Sequence, residues 1–188
     1  MVKLLKRENP RQAIIFCRTK RGVDRVQRNL GKRFSGVDCI HGDLAQGARD
    51  RVMLAFRQGT VTILVATDVV GRGIDVSGIS HIINYDIPAF CDDYVHRVGR
   101  TGRMGREGVA YTFVTPEEGP ELTRIEMRIE RLLRRDEMPG FEAFTKPTGP
   151  ASEPTAGSEG IDQPTPPPAK PPLYGRDGRP IRRIRRAL

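Results

Sequence analysis

Five short apolar runs, four to eight residues each and set apart by polar, helix-patterned segments, constrain this chain more than any other feature. Gln12–Cys17, Val37–Ile40, Thr60–Ala66, Gly78–Tyr85 and Gly108–Val114 are rich in β-branched and aromatic residues. Three of them are nearly continuous in apolar character, the pattern of strands buried on both faces. Between them lie segments with helical spacing. Val23, Val26 and Leu30 recur over Thr19 to Leu30, which Gly31 closes. Ala48, Val52 and Phe56 share one side of Gln46 to Arg57, which ends before Gly59. Glu117 to Arg135 carries Leu122, Ile125, Ile129, Leu132 and Leu133 as a stripe, with Arg124, Arg128 and Arg131 read either as a solvated face or as packed against the first strands. Strands that alternate with helices predict an α/β fold: a parallel sheet, right-handed crossovers and helices on both faces.

In such sheets ligands bind beyond the carboxyl ends of the strands. Arg18-Thr19-Lys20, His41-Gly42-Asp43 and Thr67 to Asp75 each follow a predicted strand and are expected on one edge, together with the arginine-bearing stretch Tyr94 to Gly105. If that stretch is helical, His96, Arg100 and Arg103 fall at i, i+4 and i+7 and share a face. Its three glycines lower helix stability by about 1 kcal/mol each if they sit mid-helix. Neighbouring guanidiniums repel unless an anion arrives, and their planar fork suits phosphate oxygens. Taken alone, the same stretch also reads as a solvated basic turn.

Charge separates the body from the tail. The net charge is +9, and seven basic residues against Asp177 place +6 of it in Lys170–Leu188. Phe141 to Pro172 is dense in Pro, Gly, Ser, Thr and Glu and has too little apolar area to offset its ordering entropy. The expected organisation is therefore a folded domain over 1–140, a disordered linker over 141–172 and a basic C-terminal tail over 173–188, read either as a solvated tail or as a short helix on RNA. Cys17, Cys39 and Cys91 are dispersed without a C-x-x-C pair, which argues against a disulfide framework or a zinc site; Cys17, Cys39 and His81 read as structural. No apolar run approaches the roughly 18 residues of a membrane span, and Met1–Arg7 lacks a signal-peptide core, so a soluble, cytoplasmic protein is expected.

Four motifs in order, Ala13–Lys20, His41–Arg51, Ala66–Val76 and His96–Arg103, resemble the C-terminal RecA-like domain of DEAD-box RNA helicases over roughly residues 10 to 135. The resemblance implies a RecA-like α/β sheet and a set of roles. Arg100 and Arg103 match arginine fingers that reach the γ-phosphate of ATP held by a partner domain. Asp75 matches the contact to the ATP ribose, and His96 a position linking nucleotide state to RNA binding. Gln46, Arg49, Thr67 and Gly71 match positions lining the RNA backbone; hydroxyl, bare backbone N–H and guanidinium are all phosphate donors. Val70-Gly71 departs from the two small residues common there.

Equally informative is what the sequence lacks. It has no G-x-x-x-x-G-K-[ST] loop, Gly31-Lys32-Arg33 being the nearest approach, and no Asp-Glu-Ala-Asp. The expectation is half of an ATPase site: a fragment inactive alone, whose partners are RNA and the N-terminal RecA-like domain of a longer chain, with Mg2+ held mainly by that domain. With no Trp and few aromatics, sequence-independent backbone contacts are expected rather than base stacking. Two other classes remain open: a DNA-directed superfamily 2 translocase domain, and a stand-alone RNA-binding or partner-binding module with the same fold.

Overall fold

The computed structural model describes residues 1–68, 78–102, 107–138 and 183–187. Asp75, Gly71 and Arg103, and the linker expected over 141–172, lie outside the described residues.

Each predicted strand forms, trimmed at its ends: β1 Ala13–Phe16, β2 Val37–Ile40, β3 Ile63–Ala66, β4 His81–Asn84 and β5 Val109–Val114. These five are parallel in the order β2-β3-β1-β4-β5, with Ile14 opposite Leu64 and Ile82. Alternation along β1 divides the core. Ile14 and Phe16 face a cluster with Ile40, Leu64, Ile82 and Phe56, the last from helix α3 Gln46–Arg57. Ile15 faces the opposite cluster with Val23, Val26 and Leu30 of α2 Lys20–Gly31. The expected helices on both faces are thus present, and β1 is covered on both sides, which is why its whole length is apolar. Thr19 caps α2, its side chain accepting the Gly22 N–H at 3.0 Å.

Four features depart from the sequence reading. Val2–Glu8 forms a helix, α1, whose Leu4 and Leu5 are buried against the sheet, and left-handed Asn9 (φ 42°) ends it. At seven residues it offers too few turns for periodicity to register. The arginine-bearing segment is helical only over Cys91–Val98, α4; Gly99 closes it and Arg100 lies beyond, so His96 and Arg100 do not share a continuous helical face. There the hydrogen bonds tighten to Arg100 N–H on Arg97 O at 3.2 Å and Thr101 N–H on Val98 O at 3.0 Å. Likewise, the last predicted helix stops early. α5 spans Gly119–Arg128, Glu130 turns left-handed (φ 51°), and Leu133 N–H is taken by the Glu126 carboxylate at 2.9 Å. Leu132 is consequently 82% exposed rather than part of the apolar stripe, while Leu133 stays buried with Leu122 and Ile125. Finally, Arg134–Asp136 forms a strand, β6, and within the basic end Arg183–Ala187 is extended rather than helical: β7 lies antiparallel between β5 and β6.

Candidate nucleotide and nucleic-acid interface

The carboxyl ends of β1, β3 and β4 are joined by one buried side chain, Arg97, which projects from α4 and is 3% exposed. A guanidinium at this depth requires a full set of acceptors. Its Nε and Nη2 donate to the two carboxylate oxygens of Asp68 at 2.6 and 2.7 Å, a bidentate pair. Nη1 donates to Asn84 Oδ1 at 3.1 Å and to the Asp86 carbonyl at 2.8 Å, and the guanidinium carbon lies 5.0 Å from the centre of the Phe16 ring. Asn84, fully buried, in turn donates to Thr112 Oγ1 at 3.0 Å on β5. The last residues of β1 and β4 and the residue after Thr67 are therefore fixed to the helix that carries His96. Sequence reasoning passed over Arg97 because it is out of phase with His96 and Arg100. The one available signal was a charged residue beside Tyr94 on the inward face of an otherwise polar helix.

Beyond α4 the chain turns toward the amino end of β4. Thr101 bridges Ile79, its hydroxyl donating to the Ile79 carbonyl at 2.6 Å. Gly108 makes this approach possible, since a Cβ there would overlap Thr101 Oγ1 and the Gly102 nitrogen. The arginine-bearing stretch thus runs along a face of the sheet from its carboxyl edge and does not gather wholly at that edge as expected. Arg100 is half-buried on this path and His96 is exposed.

The His41-Gly42-Asp43 turn leaves β2 at the register where Thr67 leaves β3, Ile40 being opposite Ala66. Both begin at the same sheet edge, as expected. Thr67 is buried. His41 Nε2 lies 3.1 Å from Asp24 Oδ1, while its Nδ1 faces the Asp43 N–H at 3.4 Å. Lys20 bonds the Asp43 carboxylate, and this hydrogen bond holds Asp43 below the usual carboxylate range. Next along the chain, Gln46 and Arg49 open α3. Arg49 Nη1 donates to Gln46 Oε1 at 3.1 Å and Gln46 Nε2 to Asp50 at 2.8 Å. Arg49 Nε is buried without a hydrogen-bond partner among the described residues.

Among the described residues, one group of three side chains has metal-ligand chemistry: Asp24, Cys39 and His41, whose ligand atoms lie within 4.8 Å of one another. A thiol-bearing set of three does not suit Mg2+, which takes oxygen donors in an octahedron. Burial, then Asp38 and Asp24, push the Cys39 thiol up to about 11, so it is protonated at neutral pH. His41 braces the turn that carries Asp43 through its contacts to Asp24 and to the Asp43 N–H.

Residues 1–105 match the family described as helicase conserved C-terminal domain. The chain belongs to that family. This helicase C-terminal domain is 48% identical over 142 residues to the DEAD-box ATP-dependent RNA helicase CshA of Geobacillus kaustophilus, an alignment covering 76% of this chain and 30% of the relative. The E. coli DEAD-box protein SrmB, in a structure bound to regulator of ribonuclease activity A, superposes with a TM-score of 0.67 and 32% identity, over 77% of this chain and 88% of that one. S. cerevisiae Dbp5 bound to RNA and ADP BeF3 superposes with a TM-score of 0.57 and 38% identity, over 62% and 32% of the two chains. The RecA-like α/β fold and the DEAD-box kinship are therefore established for the domain. It spans less than a third of the length of the curated relatives it matches. No described helix is long and apolar enough to cross a membrane.

Proposed function

We propose that this helicase C-terminal domain is one half of an ATP-dependent DEAD-box RNA helicase, and that it supplies both an RNA-backbone surface and the arginines that complete an ATP site held by an N-terminal RecA-like domain. In this reading Gln46, Arg49, Thr67 and Gly71 contact phosphate and sugar, Asp75 the ATP ribose, and Arg100 and Arg103 the γ-phosphate. The observation that carries it is the Arg97 knot. It locks Asp68, next to Thr67 on the RNA side, to the helix that carries His96 and leads into Arg100 on the nucleotide side. A displacement of either side is transmitted through a side chain with no slack, because each of its three nitrogens already has an acceptor.

The forked guanidiniums of Arg49 and Arg100 suit phosphate oxygens. Bound ATP supplies the phosphoanhydride bond whose hydrolysis resets the domains, with Mg2+ assigned to the N-terminal domain because the described residues have no oxygen cage for it. This chain's own part is to orient and neutralise: arginine fingers are worth on the order of 10³ to 10⁵ in rate where they have been measured. RNA and ATP both favour the closed arrangement of the two domains, so each raises the population that binds the other.

The test measures ATP hydrolysis with and without RNA, for this chain alone and linked to the N-terminal domain of a DEAD-box relative. Activity confined to the linked form, stimulated by RNA and lost in Arg100→Ala with RNA affinity retained, is the expected result. Hydrolysis by the chain alone refutes the half-site reading. Loss of RNA affinity on Arg100→Ala assigns that arginine to the RNA surface and favours a stand-alone binding module.

A further inference from the structure

β6 has no sheet partner among the described residues except β7, and β7 stands between it and β5. Without Arg183–Ala187 a one-strand gap would separate two backbone edges. The walls of that gap are held by contacts that do not involve the inserted strand. β5 is paired along its other edge to β4, with Ala110 opposite Ile82. β6 is fixed on one side by Arg7 of α1, which bonds both the Asp136 carboxylate and Tyr111 Oη, and at its start by buried Leu133, whose N–H is taken by Glu126. Met138, just beyond it, packs on the cluster of Leu4 and Leu5.

We propose that the space between β5 and β6 is a preformed slot for an extended basic segment, filled reversibly and in cis by this chain's own C-terminal strand. Recognition is by main-chain hydrogen bonding on both sides, the mode of strand addition. Five residues pair with β5, from Ala110 opposite Ala187 to Val114 opposite Arg183, and three of them also pair with β6.

Reversibility follows from charge and chain length. The register sets Arg134 opposite Arg186 and Arg135 opposite Arg185, and like charges placed directly across a ladder oppose pairing. Docking also closes a loop of more than forty residues, an entropic cost that the pairing on both edges exceeds only by a small margin.

Hydrogen exchange on the full chain tests this. Amides of 183–187 should exchange at least about tenfold more slowly than in a free peptide, independently of protein concentration. Arg185→Pro removes a ladder donor from a strand paired on both sides and should release 183–187 and expose the outward amides of β5, while β1 and β3 keep their protection. Arg185→Lys, which keeps the N–H and the charge, should leave protection in place. Exchange of 183–187 at the free-peptide rate, or an unchanged β5 in Arg185→Pro, overturns the slot. Protection that grows with protein concentration assigns the strand to a second copy and overturns docking in cis.

Discussion

Replacing Arg97 tests the central structural claim. Arg97→Ala leaves Asp68 unpaired and orphans Asn84 Oδ1 and the Asp86 carbonyl, all acceptors of one guanidinium that is 3% exposed. Breaking a buried pair by removing one partner costs about 3–5 kcal/mol. Asp68 is 27% exposed and regains some water, which points to the lower end, about 3 kcal/mol. Arg97→Lys keeps the charge and loses the fork; with one compact ammonium for four acceptor contacts we expect about 2 kcal/mol. In a urea titration, with a slope of about 1–3 kcal/mol/M for a domain of this size, the alanine variant moves the midpoint down by roughly 1–3 M. A double-mutant cycle with Asp68→Asn should give a coupling of at least about 1 kcal/mol. A midpoint unchanged within error, or additive behaviour in the cycle, would show that the buried fork does not hold the strand ends together.

Gly108→Ala drives a Cβ into Thr101 Oγ1 and the Gly102 nitrogen, and the backbone displacement should cost about 1–3 kcal/mol by the same titration; full stability in this variant refutes the close approach. Burial raises the Glu8 pKa, but hydrogen bonds from Tyr111, Arg7 and His81 outweigh it and leave the carboxyl below its ordinary 4.5. With the folded value depressed, the stabilisation is present above the unfolded pKa and is lost as pH falls through the folded one. Thermal unfolding of Glu8→Gln should accordingly show a shallower loss of stability below about pH 4.5 than the parent, and parallel curves would exclude the linkage. The Cys39 thiol, at about 11, should react with a maleimide at pH 8 far more slowly than the same residue in the denatured chain, by about two orders of magnitude; equal rates would show that burial does not protect it.

Local sequence and burial pattern were enough to define the five parallel strands and helices α2 and α3. A strand covered on both faces must be apolar throughout, as in Ala13–Phe16, and a helix lying on a sheet must repeat its apolar residues every three or four positions, as Val23, Val26 and Leu30 do. The motif-bearing turns were also legible, because a parallel sheet sends every strand's exit to one edge, and Thr67 and His41 do leave β3 and β2 there. Tertiary structure alone decided the rest. α1 is too short for a periodic signal and is held by Leu4 and Leu5 in a core assembled from distant segments. The end of α5 depends on a left-handed Glu130 and on a carboxylate that captures a backbone N–H, neither of which has a compositional mark. Arg134 and Arg135 fell in the predicted last helix, and the basic end read as a solvated tail or a short helix; their pairing as β6 and β7 is set by the edge that β5 offers. Arg97 illustrates the division most clearly. Its charge was plain in the sequence, but burial and four acceptor contacts come from Asp68, Asn84 and Asp86, eleven to twenty-nine residues away, and only the folded sheet brings them to one point.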